Sequence, residues 1–182
     1  MNQIKLDTGV ISGFETSQNG HKISIFRGIP YAAPPVGDLR WKPPQTAAKW
    51  SGVRECTRFS IQAAQFPDVH ASEKMQALPS SEDCLYLNVM TPADKATDKL
   101  PVMVWFHGGG TRYGNGNLAL SNSTGLPGHG VVLVTINHRL GIFSLFAHPL
   151  LSKESPKGVS GNYLFLDLIA SLKWVKKNIA AF

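Results

Sequence analysis

A histidine followed by three glycines, His107-Gly108-Gly109-Gly110, is the stretch of this chain best suited to do chemistry. It breaks off directly from the apolar run Pro101-Val102-Met103-Val104-Trp105-Phe106, and five of the nine residues from Gly108 to Gly116 are glycine. Glycine admits φ > 0, lets a neighbour approach closely and leaves its own N–H unshielded. Backbone donors grouped in this way hold a phosphate, a carboxylate or a transient oxyanion. What surrounds the loop has to decide among these three.

A dinucleotide phosphate fits poorly. Gly114-Asn115-Gly116-Asn117-Leu118-Ala119 matches G-x-G-x-x-A, but it does not open directly after the strand. About 20 residues further on, where an acidic ribose partner belongs, stands Asn137-His138-Arg139. No G-x-x-x-x-G-K-[ST] occurs. The histidines at 21, 70, 107, 129, 138 and 148 form no i, i+4 pair and have no C-x-x-C companion, so neither a metal nor another cofactor is expected. A net charge of +6 from 18 Lys and Arg against 12 Asp and Glu raises the question of nucleic acid. The basic residues are scattered and form no stripe with interleaved aromatics, which argues against such a partner.

The totals describe one globular domain, with 182 residues, 43% hydrophobic and 16% charged. No run approaches the ~20 apolar residues of a membrane span. Met1-Asn2-Gln3-Ile4-Lys5 leads into polar, strand-like sequence without an apolar export segment, and the expectation is a cytoplasmic protein. Cys56 and Cys84 pull the other way if they are bridged; buried free thiols are the alternative, and composition does not choose between them.

The elements that must position the loop are readable from the pattern. Ile4–Leu6, Val10–Phe14 and Lys22–Arg27 read as antiparallel strands around Gly9 and Asn19-Gly20. Gly28 to Pro44, with Ile29-Pro30, Pro34-Pro35 and Pro43-Pro44, reads as ordered coil held by Tyr31, Val36, Leu39 and Trp41. Residues 45–82 are weakly patterned, with Trp50 and Phe59 as anchors and a surface loop from Pro67 to Ser81. Leu85–Met90 and Pro101–Phe106 are strands at hairpin-like distance across the polar turn Ala93–Lys99. A short helix is expected within Leu118–Gly130, then Val131–Ile136 as a strand buried on both faces. Leu140 to Gly161 reads as a long loop. Tyr163–Asn178 is the clearest helix, with Leu164, Leu168, Leu172 and Val175 as its buried stripe, widened by Phe165, Ile169 and Ile179. Asn162 is placed as its N-cap, and Lys173, Lys176 and Lys177 lie at its C-terminal end. Antiparallel strands first, then strand–helix units, define an α/β protein with a mixed sheet.

Several signatures besides the glycines now converge. Arg27-Gly28-Ile29-Pro30-Tyr31-Ala32, Pro34-Pro35-Val36-Gly37, Leu39-Arg40-Trp41, Ser81-Glu82-Asp83-Cys84-Leu85-Tyr86-Leu87-Asn88, His107-Gly108-Gly109-Gly110, Asn137-His138-Arg139-Leu140-Gly141, Ser160-Gly161-Asn162-Tyr163 and Asn178-Ile179-Ala180-Ala181-Phe182 follow one another. In kind and order they resemble the N-terminal portion of the type-B carboxylesterases, the α/β-hydrolase family that includes the cholinesterases. The resemblance spans essentially the whole chain. It implies the N-terminal part of an α/β-hydrolase fold, with residues 1–182 as the N-terminal segment of a single catalytic domain.

The resemblance also implies roles. Gly109 and Gly110 would donate two N–H groups to a tetrahedral oxyanion, with Gly108 and Thr111 beside the substrate. Cys56 and Cys84 match a family disulfide, and Arg40 with Glu82 and Arg139 with Asp167 match two buried ion pairs. The expected substrate is a small-molecule carboxylic ester, and the expected partner is a complementing C-terminal segment or second chain. Three positions depart from the family: Thr111 where an aromatic is usual, His138 in place of Tyr and Leu168 in place of Gln. No G-x-S-x-G nucleophile elbow is present. Gly158-Val159-Ser160-Gly161-Asn162 has misplaced glycines and no preceding strand, so Ser160 reads as a loop residue and His107 as a loop-positioning residue, not a catalytic base. A catalytically silent, cholinesterase-like binding module shares most of these motifs and is the rival reading.

Overall fold

The computed structural model describes residues 2–66, 79–95, 97–117 and 124–182. Its strands are β1 (Gln3–Lys5), β2 (Val10–Ser12), β3 (Phe14–Gln18), β4 (His21–Pro30), β5 (Val53–Glu55), β6 (Gln62–Ala63), β7 (Ser80–Ser81), β8 (Tyr86–Thr91), β9 (Val102–Phe106) and β10 (Val132–Ile136). The α-helices are α1 (Ile142–Leu145), α2 (Pro149–Glu154) and α3 (Tyr163–Asn178). A small sheet β1-β2-β5 and the parallel pair β6-β7 flank a five-stranded sheet of order β3-β4-β8-β10-β9.

The central sheet is mixed. β10 runs antiparallel to β8 and parallel to β9, with Ile136 opposite Leu87 on one side and Phe106 on the other. The hairpin expected between β8 and β9 does not form, because β10 is inserted between them. Five consecutive buried residues, Val132 to Ile136, make β10 the natural occupant of that interior place. The exposed edge is β9, where Val102, Met103 and Trp105 are each at least 40% exposed.

Side-chain alternation distributes two cores. Phe26, Leu87, Val89, Val132, Val134 and Ile136 share one face with Trp174, Val175 and Phe182, so α3 covers that side. Ile23, Ile25, Met90 and Leu133 form a second cluster on the other face with Phe14 and Phe59. Phe182 stands edge-on to Phe26 at 5.2 Å, and the Thr91 hydroxyl donates to the Phe182 carbonyl at 3.0 Å.

Several local expectations shift. β4 continues to Pro30 through an irregularity between Phe26 and Ile29 opposite β8, where the Asn88 side chain accepts from Gly28 N–H at 2.9 Å. A bulge of this kind tolerates the glycine and the terminal proline. The 140–161 loop contains α1 and α2; Pro149 opens α2 and His148 Nδ1 accepts from Leu150 N–H. Of the helix expected within 118–130, residues 118–123 lie outside the described residues and Pro127–His129 forms a 3-10 turn. Residues 67–78 of the expected surface loop likewise lie outside them.

Helix α3 matches its expected span, but its buried stripe is rotated to Tyr163, Leu164, Asp167, Ser171, Trp174, Val175 and Asn178. Phe165, Ile169 and Leu172 are exposed. Polar residues with internal partners displaced these apolar ones: Asp167 binds Arg139, Ser171 Oγ donates to Leu168 O, and Asn178 binds both Asp7 N–H and Trp174 O. Asn162 does occupy the N-cap position, but in a left-handed conformation without a side-chain cap bond. Its carbonyl receives Phe165 and Leu166 N–H instead. No described helix is long and apolar enough to cross a membrane.

Candidate active site

The pairing of β9 with β10 creates the site. Because the two strands are parallel and in register at Phe106 and Ile136, their C-terminal ends deliver His107 and Asn137-His138-Arg139 to the same edge of the sheet. Loops at the carboxyl ends of parallel strands are where ligands bind in open α/β sheets.

The glycine loop is tightly built. Gly109 sits at φ +117°, and its carbonyl accepts from Arg112 and Tyr113 N–H. A Cβ on Gly109 would lie 1.9 Å from the Tyr113 carbonyl oxygen, so no other residue fits. Gly110 and Thr111 also have positive φ, +59° and +64°. The Thr111 hydroxyl turns back onto the Gly110 carbonyl at 2.6 Å, and its own carbonyl accepts from Gly141 N–H at 2.7 Å. The loop is thereby tied to the segment after β10. Among the described residues no acceptor engages the N–H groups of Gly109 or Gly110.

Among the described residues of the G-x-G-x-x-A stretch, three N–H groups are, by contrast, already in use. Gly114 donates to Gln65 Oε1 at 2.7 Å, Gly116 to Asn137 Oδ1 at 2.7 Å, and Asn117 to Asn115 Oδ1 at 3.0 Å.

Under the loop two imidazoles stack face to face, His107 on His138, with centroids 4.2 Å apart and planes at 8°. Their Nδ1 atoms lie 2.8 Å from Gly108 O and 3.0 Å from Arg139 O. A carbonyl only accepts, so Nδ1 carries the proton in both rings. Burial, and then the neighbouring His138, push the His107 pKa down to about 4; burial lowers that of His138. Both rings are neutral at pH 7, and His107 serves as a fixed support.

Behind them, Arg139 and Asp167 make the buried ion pair expected of them. Nε and Nη2 reach the two carboxylate oxygens at 2.9 and 2.7 Å, the Arg139 N–H adds a third bond, and Nη1 donates to Lys42 O. Side-chain exposures are 2% and 0%. The Arg40–Glu82 pair is also bidentate, but with Arg40 at 39% exposure it is not the buried pair expected. The disulfide is absent: Cys56 and Cys84 are both buried free thiols. The backbone of Cys56 is held between Ser12 O and Arg27 N–H, whereas Cys84 lines a small cleft with Ala63 and Arg139. Burial pushes the Cys56 thiol up to about 11 and raises that of Cys84 further, so both stay protonated.

Ser160 is a structural residue. Its Oγ accepts from His148 N–H and meets Ser152 Oγ and His148 O, fastening the start of α2 to the loop before α3. Among the described residues no cluster of His, Cys, Asp or Glu could hold a metal ion. The pattern assigned no role to the amides behind the loop. Asn137 Oδ1 holds Gly116 while its backbone oxygen takes the Tyr31 hydroxyl, and Asn88 reaches Thr135 Oγ1. An asparagine within or just after an apolar strand was the available hint.

A mixed sheet whose parallel strands end in such a loop is the N-terminal part of an α/β-hydrolase fold. Two structures of PNB esterase superpose with TM-scores of 0.82 and 0.80 at 36% and 35% identity, covering 99% of this chain and 36% and 35% of theirs. The carboxylesterase family profile matches residues 1–182, and the chain belongs to that family. Similar proteins include a fumonisin B1 esterase of Sphingopyxis macrogoltabida, 45% identical over 96% of this chain, and carboxylesterase 1C of Mus musculus, 41% identical over 94%. Cocaine esterase of Oryctolagus cuniculus is 38% identical over 96%. The chain spans about a third of the length of these relatives, 31%, 30% and 33%.

Proposed function

We propose that residues 1–182 form the oxyanion-binding segment of a serine carboxylesterase acting on small-molecule carboxylic esters. The observation that carries this reading is the pair of unengaged N–H groups on Gly109 and Gly110, fixed at the carboxyl end of a parallel strand pair. Family membership supports it.

A serine from a segment outside residues 1–182 attacks the ester carbonyl while a histidine of that segment takes its proton. The carbonyl oxygen becomes an oxyanion, received by Gly109 and Gly110 and by the N–H following the serine. Collapse expels the alcohol, protonated by the same histidine, and leaves an acyl-serine that water resolves. One donor of this kind contributes roughly 2.7–4 kcal/mol to transition-state stabilisation. Thr111 in place of an aromatic side chain leaves the acyl side of the pocket more open. No cofactor takes part.

The complementing segment supplies nucleophile, acid and base, and the chain alone is inactive. The exposed β9 edge offers it a row of unpaired backbone groups. The test is a chimera in which residues 1–182 replace the corresponding part of the fumonisin B1 esterase. Ester hydrolysis with an initial burst and labelling by a fluorophosphonate supports the reading. A folded chimera that is neither labelled nor active points to a silent binding module.

A further inference from the structure

Gln65 lies outside every motif discussed so far, yet both ends of its carboxamide bond to the glycine loop. Oε1 accepts from Gly114 N–H at 2.7 Å, and Nε2 donates to Gly114 O and to Ala63 O, both at 3.0 Å. One side chain therefore grips both polar groups of a single residue. The base from which it acts is itself anchored, since β6 pairs with β7 and Ala64 N–H reaches Ser81 O at 2.8 Å. Two further bonds join the same segments, Asn115 Nδ2 to Gln62 Oε1 and Asn117 Nδ2 to Ser60 O, each at 3.0 Å.

Gly114 in turn bears directly on the support of the oxyanion loop. It sits at φ +119°, and a Cβ there would lie 2.5 Å from His107 Nδ1 and 2.6 Å from Gly108 O. Its backbone is the wall against which the His107 ring and the Gly108 carbonyl rest. His107 Nδ1–H donates to that carbonyl at 2.8 Å. The Gly108 carbonyl and the Gly109 N–H belong to one planar trans peptide and point in opposite directions. Whatever fixes Gly108 O therefore aims the Gly109 N–H.

From this chain of contacts we infer that Gln65 is a positioning residue for the oxyanion hole, acting through Gly114 and His107 on the Gly108–Gly109 peptide plane. The inference rests on the proposed esterase reading. Gln65 touches no reacting atom, so its removal acts on the transition state more than on substrate binding.

The test uses the chimera described above, with Gln65→Ala, Gln65→Met and Gln65→Glu. Gln65→Ala and Gln65→Met lower kcat on the order of tenfold to a hundredfold with KM unchanged. Gln65→Glu keeps an acceptor for Gly114 N–H but, when ionised, has no donor for Gly114 O or Ala63 O. Protonation restores one, so the activity of Gln65→Glu relative to the parent rises as pH falls through the carboxyl range. A folded Gln65→Met that keeps the parental kcat, or a Gln65→Glu ratio flat with pH, overturns the inference. Should the alanine and methionine variants fail to fold, the pH profile of Gln65→Glu alone decides it. An inactive parental chimera would instead sink the esterase reading itself, so the two failures are separable.

Discussion

At the scale of single residues, Gly109 and Gly110 differ in what they tolerate. A Cβ on Gly109 collides with the Tyr113 carbonyl, whereas one on Gly110 meets open space. Gly110→Ala is expected to fold, at a cost of about 1–2 kcal/mol for its left-handed backbone, and Gly109→Ala to displace the loop. In the chimera Gly109→Ala should lose on the order of 100-fold or more in kcat with little change in KM, which steady-state kinetics will read. His107 carries a separate expectation. The unfolded imidazole titrates near ~6.5, the folded one at about 4. Between those values the unfolded chain binds the proton and the folded chain does not, so stability falls as pH drops through this window and levels off below it. His107 alone contributes up to about 3 kcal/mol of this loss, and the lowered pKa of His138 acts in the same direction. Denaturation midpoints at neutral and mildly acidic pH should lie closer together for His107→Gln, in which His138 still titrates, than for the parent.

At the scale of elements, the two ion pairs have unequal weight. Asp167→Asn leaves the Arg139 guanidinium buried without its counter-charge and should cost ~3–5 kcal/mol; Glu82→Gln, beside a half-exposed Arg40, should move the urea midpoint far less. Where the sequence was legible, local pattern and tertiary demand agreed. β10 declared itself because a strand covered on both faces needs apolar residues at every position, and α3 declared its span through periodicity and its basic last turn. The buried stripe of α3 was misread because periodicity ranks residues by polarity. The fold instead buries Asp167, Ser171 and Asn178, whose partners lie up to 171 positions away. The same reason hid the insertion of β10 between β8 and β9. Strand order is a non-local property, and a short polar turn advertises a hairpin whether or not one forms. Gln65 was illegible outright, since a lone glutamine in weakly patterned sequence carries no periodic or turn signal.

At the scale of the whole molecule, β9 and the outer face of α3 leave apolar surface open. Val102, Met103 and Trp105 lie on the edge strand β9, paired on one side only, and Phe165, Ile169 and Leu172 on the helix. Such an edge templates association. The isolated 182 residues are therefore expected to self-associate or require a complementing segment, as sedimentation would report; a monodisperse, cooperatively melting monomer would contradict this. The glycine loop, by comparison, is held from two sides within the described residues, from Gln65 through Gly114 to His107 and from Thr111 to Gly141. The most direct measurement is a crystal structure of the chimera phosphonylated by a fluorophosphonate. The account expects the phosphonyl oxygen within about 2.7–3.1 Å of both Gly109 N and Gly110 N, the range for donors aimed at an oxyanion. A phosphonyl oxygen turned away from both, with the loop still folded as described, would contradict it.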